Sequence, residues 1–140
     1  MATRSVIALA TDIGVQAIYC QWDGYVACNG RILDQCYQDR ASVEQLMELG
    51  DLSALNDTPD ECEAYHRDRN EPRDMTRART YANYQEMLVG EFEDSDREYV
   101  YVYGRNNAWS VIARRTQETV GAQTLSNAIA EFNREQMFAV

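Results

Sequence analysis

Residues 98–103 read Glu-Tyr-Val-Tyr-Val-Tyr, and no other stretch restricts the fold of this chain as tightly. Alternation of two side-chain types has the period of a β-strand, and tyrosine and valine both favour that conformation. Gly104-Arg105-Asn106-Asn107 supplies turn residues, and residues 108–113 return as the partner strand of a hairpin. Tyr99, Tyr101 and Tyr103 therefore share one face, which must lie under a helix or serve as a contact surface. Cover by a helix is the expectation.

The other end of the chain repeats the pattern. Residues 4–10 are a short apolar run that stops at Thr11-Asp12-Ile13-Gly14. Residues 16–22 then alternate, with Ile18, Cys20 and Trp22 on one side and Tyr19 and Gln21 on the other. Two such runs across a Gly/Asp turn predict an antiparallel hairpin. Asp23-Gly24 closes it, and a helix is expected over 25–38, weakened at Gly30. Ser42-Val43-Glu44-Gln45 reads as a capping box opening a helix that Gly50 ends. Residues 51–55 read as a further helical turn or a packed loop. Residues 62–67 read as a short strand, 67–79 as irregular and 81–90 as a short helix. A closing helix is expected over 117–137, with Leu125, Ala128, Ile129 and Phe132 as its stripe. A chain of 140 residues has room for one core. The expected fold is thus a single α+β domain, 1–140, with an antiparallel sheet built from the two hairpins and helices on one face.

Charge narrows the choice of partners. Twenty-three acidic residues face 13 basic ones, a net charge of −10, and every side-chain cation is arginine. That balance argues against direct DNA or RNA binding, which rests on neutralising phosphates. It favours solubility or docking onto a basic protein surface. The acids come in two stretches, Asp57, Asp60, Glu61 and Glu63, then Glu91, Glu93, Asp94 and Asp96. Between them lie Arg67, Arg69, Arg73, Arg77 and Arg79. No apolar run is long enough to span a membrane, and no leader-like segment opens the chain, so a cytoplasmic location is expected.

The four cysteines, Cys20, Cys28, Cys36 and Cys62, form no C-x-x-C pair, and the chain has one histidine. Neither a zinc site nor any other cofactor is expected, and the thiols read as reduced and structural. Cys28 and Cys36 are expected on one apolar helix face.

Two stretches stand out as candidate ligand sites. Tyr65, His66, Arg67, Asp68 and Arg69 pack a proton shuttle, a carboxylate and two phosphate-gripping forks into a few positions. Their bland reading is a surface ion-pair network. Trp22, Asp23 and Tyr25 surround Gly24 where a strand turns into a helix, with Asp23 placed to cap that helix. The aromatics would stack on a planar ligand, or a capped corner would keep them in the core. The core reading is preferred. Asp23, His66 and Arg69 would meet at one rim if the strands ending at Trp22 and His66 are neighbours.

The set Thr3-Arg4-Ser5-x-Ile7-Ala8, Ile18-Tyr19-Cys20-x-Trp22-Asp23-Gly24-Tyr25, Leu49-Gly50-Asp51-Leu52-Ser53-x-Leu55, Ala64-Tyr65-His66-Arg67-Asp68-Arg69 and Glu98-Tyr99-Val100-Tyr101 resembles a family of small bacteriophage and prophage proteins. The similarity runs over about residues 3–112. Family members usually carry His at the position of Gln21 and commonly Gly at that of Asn70. The resemblance implies a phage accessory protein of no established activity and transfers no catalytic residue.

Three functions follow as expectations. The first is a non-enzymatic protein that modulates or inhibits a host or anti-phage defence component, such as a nucleic-acid-handling protein, through its acidic surface. The second is a nucleotide or small-ligand binder, a sponge for a signalling nucleotide, using an arginine and aromatic pocket. The third, a phosphodiesterase using His66 with Asp68, has least support.

Overall fold

A computed structural model describes residues 2–93, 96–114, 123–125, 127, 129 and 130. The first hairpin is β1 (Arg4–Thr11) and β2 (Gly14–Cys20), paired from Ser5 opposite Cys20 to Thr11 opposite Gly14. A π-helical turn at Val26–Gly30 leads directly into α1 (Arg31–Cys36), and α2 spans Arg40–Leu49. Next come β3 (Leu52–Ala54), a 3-10 turn at Pro59–Glu61 and β4 (Glu63–Ala64). Two short helices, α3 (Tyr65–Arg69) and α4 (Arg73–Thr76), precede β5 (Arg79–Tyr81) and α5 (Tyr84–Phe92). The second hairpin is β6 (Arg97–Tyr103) and β7 (Trp109–Ala113), with β8 (Gln123–Thr124) on its outer edge.

All these strands form one sheet in the order β4-β3-β2-β1-β6-β7-β8, with β5 also on β2. The fold is α+β, as expected, and both predicted hairpins are present. Their junction departs from an all-antiparallel sheet, because β1 runs parallel to β6, from Ser5 beside Tyr99 to Leu9 beside Tyr103. β2 and β3 are also parallel. No turn dictates such pairings; they form because apolar faces of segments far apart in the chain match.

The helices cover both faces rather than one. Ile7, Leu9, Ile18, Cys20, Tyr101, Tyr103 and Trp109 face a core completed by Leu33, Tyr37, Val43 and Leu46 of α1, α2 and their link. Val6, Ala8, Val15, Ala17, Val100, Val102 and Ile112 face the opposite way, against Met87 and Phe92 of α5. Central strands buried on both sides read as near-continuous apolar runs, which residues 5–9 are.

Several local expectations move. The helix predicted from Ser42 begins at Arg40, and the Ser42 hydroxyl donates to the Asp39 carbonyl (2.8 Å) instead of forming a box with Gln45. Gly50 does end that helix, at φ 79°, where a Cβ would overlap the Thr76 carbonyl. Residues 52–54 are a strand, not helix or loop. The strand expected over 62–67 stops at Ala64, and Tyr65–Arg69 is helical. The helix expected over 117–137 is contradicted at Gln123–Thr124, which pair with β7. Leu125 is buried as predicted; Ala128 and Phe132 lie outside the described residues. All four cysteines are free, with Cys20 and Cys62 buried, but Cys36 is exposed.

A buried polar cluster ties β5 and α5 to the sheet. β2 is paired by β5 as far as Ala17 and by β3 at Cys20. Between them, the Tyr19 amide donates to the Asp51 carboxylate (2.8 Å), which takes the place of a strand carbonyl. Arg79 bridges Asp51 and Glu91, with Nε and Nη2 on the two Glu91 oxygens at 2.8 and 3.0 Å, and the Tyr81 hydroxyl also donates to Glu91. Burial opposes the Arg79 charge, but Glu91 and Asp51 outweigh it and raise its pKa. For Asp51, burial wins over the same arginine and raises the pKa.

Candidate functional site

The Trp22-Asp23-Gly24-Tyr25 corner is rigid and turned outward. Asp23 has a left-handed backbone (φ 59°), and its carbonyl accepts from the Asn29 amide at 3.0 Å. It does not cap a helix: the residue before the π turn is Tyr25, with no side-chain cap. The Gly24 amide donates to the Thr3 carbonyl (2.8 Å), and the buried Tyr101 hydroxyl donates to the Gly24 carbonyl (2.6 Å). Glycine is required there, since a Cβ would press on that Thr3 carbonyl and on Ser5. The Asn29 side chain donates to the Trp22 carbonyl at 2.9 Å. With the backbone so fixed, Trp22 and Tyr25 remain 44% and 41% exposed. The aromatics are therefore not in the core, contrary to the preferred reading of this motif. The side-chain hydrogen bond with Cys28 raises the pKa of the Tyr25 phenol.

The Tyr65–Arg69 stretch divides between two environments. Tyr65 and Arg69 reach the end of β2: the Tyr65 hydroxyl donates to Gln21 Oε1, and Arg69 donates to Ser53 Oγ at 3.1 Å. The Arg69 guanidinium lies 5.3 Å from the Tyr65 ring centroid and pairs with Glu63 at 2.6 Å. Ser53 also accepts the Trp22 amide through its carbonyl (3.1 Å), so this group adjoins the aromatic corner. His66, by contrast, contacts the Glu71 carbonyl through Nδ1 (2.8 Å) and lines a depression of about 450 Å³ with Glu48, Leu49, Asp60 and Arg73.

Arg67 and Asp68 are occupied in building the backbone. Arg67 donates to the carbonyls of Pro59 (3.1 Å), Asp60 and Cys62, and to Asp68. Asp68 accepts the Ala64 amide at 2.7 Å, satisfying one of the free amides that start α3. The hydrogen bond from Arg67, then that from Ala64, lowers the Asp68 pKa. The hydrogen bonds of Asp68 thus go to Arg67 and Ala64, and no His66–Asp68 dyad is formed. The strands ending near Trp22 and Ala64 are not neighbours either, since β3 lies between them. What meets at this edge is Trp22, Gln21, Ser53, Tyr65 and Arg69. The expected trio of Asp23, His66 and Arg69 is not among the contacts of the described residues.

The acidic stretches also differ. Asp57, Asp60 and Glu61 are exposed and form no salt bridge among the described residues, while Glu63 neutralises Arg69. In the second stretch Glu91 is 3% exposed and bound to Arg79, so it cannot contact a partner. Asp96 pairs with Arg97 (2.8 Å) and Arg4 (3.5 Å), Glu93 is exposed, and Asp94 lies outside the described residues.

Sequence reasoning passed over Gln21 and Ser53, which contact Tyr65 and Arg69, and Tyr19 with its partner Arg4. Tyr19 and Gln21 shared a face in the alternation of residues 16–22, the one local sign of their grouping. Among the described residues, no group of three or more acidic, cysteine or histidine side chains is placed to hold a metal, and no helix is long and apolar enough to cross a membrane. Comparison with family models, curated proteins and solved structures finds no match to this chain.

Proposed function

We propose that this chain is a binding protein, of the phage accessory kind that its motifs resemble, which docks on a host or defence protein and modulates it. The observation that carries this reading is the exposure of Trp22 and Tyr25 on a backbone pinned by the sheet, Asn29 and Tyr101. Large aromatics held rigidly at the surface supply contact area at little entropic cost and are enriched where partners bind. The exposed acids Asp57, Asp60 and Glu61 belong to the β3–β4 side of the sheet, as the corner does, and would steer a basic partner.

Affinity capture from host lysate tests the reading with three proteins: the unaltered chain, Trp22→Ala/Tyr25→Ala, and Asp57→Asn/Asp60→Asn/Glu61→Gln. A specific host protein should be retained by the first, lost by the second, and released by the third at moderate salt. Retention of the same proteins by all three would exclude this surface as the contact.

A further inference from the structure

A second site, adjoining the aromatic corner but built from other side chains, lies along the end of the sheet. Its members form two contact groups brought side by side on one strand face, Arg4 with Tyr19 and Gln21 with Tyr65, Arg69 and Ser53. Arg4 Nε donates to the Tyr19 hydroxyl at 2.9 Å. Tyr19 and Gln21 lie two residues apart on one face, because the Gln21 amide continues the β2–β3 pairing by donating to the Leu52 carbonyl (3.1 Å). Gln21 accepts from the Tyr65 hydroxyl, Tyr65 lies under Arg69, and Arg69 reaches Ser53. Tyr19 and Tyr65 are also close enough that the charge of Tyr19 contributes to raising the Tyr65 pKa, after burial.

The hydrogen bonds already made leave a one-sided remainder. The Gln21 oxygen is taken by Tyr65, so its amide nitrogen is what remains. The Tyr19 oxygen is taken by Arg4, and its own proton has no acceptor among the described residues. Both terminal nitrogens of Arg4 and Nη1 of Arg69 also have no hydrogen-bond partner among them. Each of these groups is a donor. Asp96 pairs with Arg4 and Glu63 with Arg69, and a further guanidinium, that of Arg97, lies over the Tyr19 ring, 4.5 Å from its centroid. The unclaimed hydrogens outnumber the roughly four lone-pair positions of a carboxylate, and guanidinium forks match phosphate oxygens.

We infer that Arg4, Tyr19, Gln21 and Arg69 bind the phosphate groups of a small phosphorylated molecule carrying a diphosphate. The anion takes the guanidinium donors at the two ends and the phenol and amide donors between them. Salt screens the attraction between these guanidinium groups and the anion, so binding weakens as ionic strength rises.

The test titrates the full chain with pyrophosphate, ADP and adenosine at low ionic strength, by calorimetry and by amide chemical shifts. Saturable binding of pyrophosphate and ADP, with shifts centred on residues 4, 19, 21 and 69, is expected. Adenosine alone should not bind; adenosine binding with no pyrophosphate binding would overturn the inference. Gln21→Glu is the decisive variant, since its carboxylate still accepts from Tyr65 but replaces the free amide donor with negative charge. It should lower pyrophosphate affinity at least tenfold, as should Arg69→Gln, whereas Arg77→Gln, at an exposed arginine elsewhere, should leave it unchanged. Undiminished affinity in a folded Gln21→Glu, or an equal loss in Arg77→Gln, would overturn the assignment and leave only general attraction between arginines and anions.

Discussion

Two groups of aromatics sit at opposite sides of the same hydrogen bond. Tyr101 belongs to the strand stripe and is fully buried; its hydroxyl holds the carbonyl of Gly24, in the corner that carries Trp22 and Tyr25 into solvent. Tyr103 stacks edge-on against Trp109 at 5.2 Å and donates to the Gln38 carbonyl (2.8 Å) under the helical layer. In the strands, a period of two assigns each aromatic to a face, and the faces of β6 are both covered by core. In the corner no period applies. A left-handed residue, a glycine and a π-helical turn set the direction of each side chain individually. Aromatic residues alone therefore do not mark core; the regularity of the backbone beneath them does.

This contrast is open to measurement. Trp109→Ala should show the largest effect, a loss of about 3–5 kcal/mol of stability in urea unfolding, as for other buried tryptophans. A cost below about 1 kcal/mol would mean that the strand aromatics are not the foundation of this core. Tyr101→Phe removes only the link between the two regions. It should cost about 1–2 kcal/mol, with the unpaired Gly24 carbonyl as the cause, and should loosen the corner as seen by faster amide exchange at residues 24–30. Unchanged exchange there would uncouple the two regions.

Cys20 lies beneath the corner, where Asn29 Nδ2 approaches its sulfur at 3.4 Å, and it supplies a pH test. Burial pushes its thiol up to about 12, whereas an unfolded thiol ionises near ~8.5. The raised folded pKa means that this contribution is intact below ~8.5 and is lost as pH rises toward the folded value. The urea midpoint should therefore decline through the alkaline range, and Cys20→Ala should flatten the decline. Tyr81, also pushed up to about 12, adds a slope only above ~10. An identical alkaline slope in Cys20→Ala would place the titration elsewhere. Trp22→Ala should have the smallest effect on stability, under ~0.5 kcal/mol, while abolishing capture of the partner. A larger loss would mean that the corner depends on its exposed ring.

Much of the architecture was legible in order along the chain. Both hairpins, the end of α2 at Gly50 and a short helix before the second hairpin follow from period, turn residues and caps. The tyrosine face was legible for the same reason. Glu91 was not: by position it is one of a run of acids, and only the return of β5 beside α5 places Arg79 against it and buries it. His66 and Asp68 were misleading in the opposite sense. Two residues apart they suggested a pair, but a helical turn sends adjacent side chains to different partners, one to Glu71 and the other to Ala64 and Arg67.

Local chemistry was enough to choose the two hairpins, their turns, the faces of their strands and the acidic character of the 57–61 loop, because each depends on residues a few positions apart; it did not find β3 or β8. The parallel contact of β1 with β6, the division of β2 between β5 and β3, and the helices on both faces depend on segments tens of residues apart. Such contacts form when whole apolar faces match and leave no signature in either segment alone. The same holds for the row from Arg4 to Arg69. Its members come from β1, β2 and α3, and they share a surface because the parallel β2–β3 pairing, with β4 outside it, carries α3 back to the end of β2.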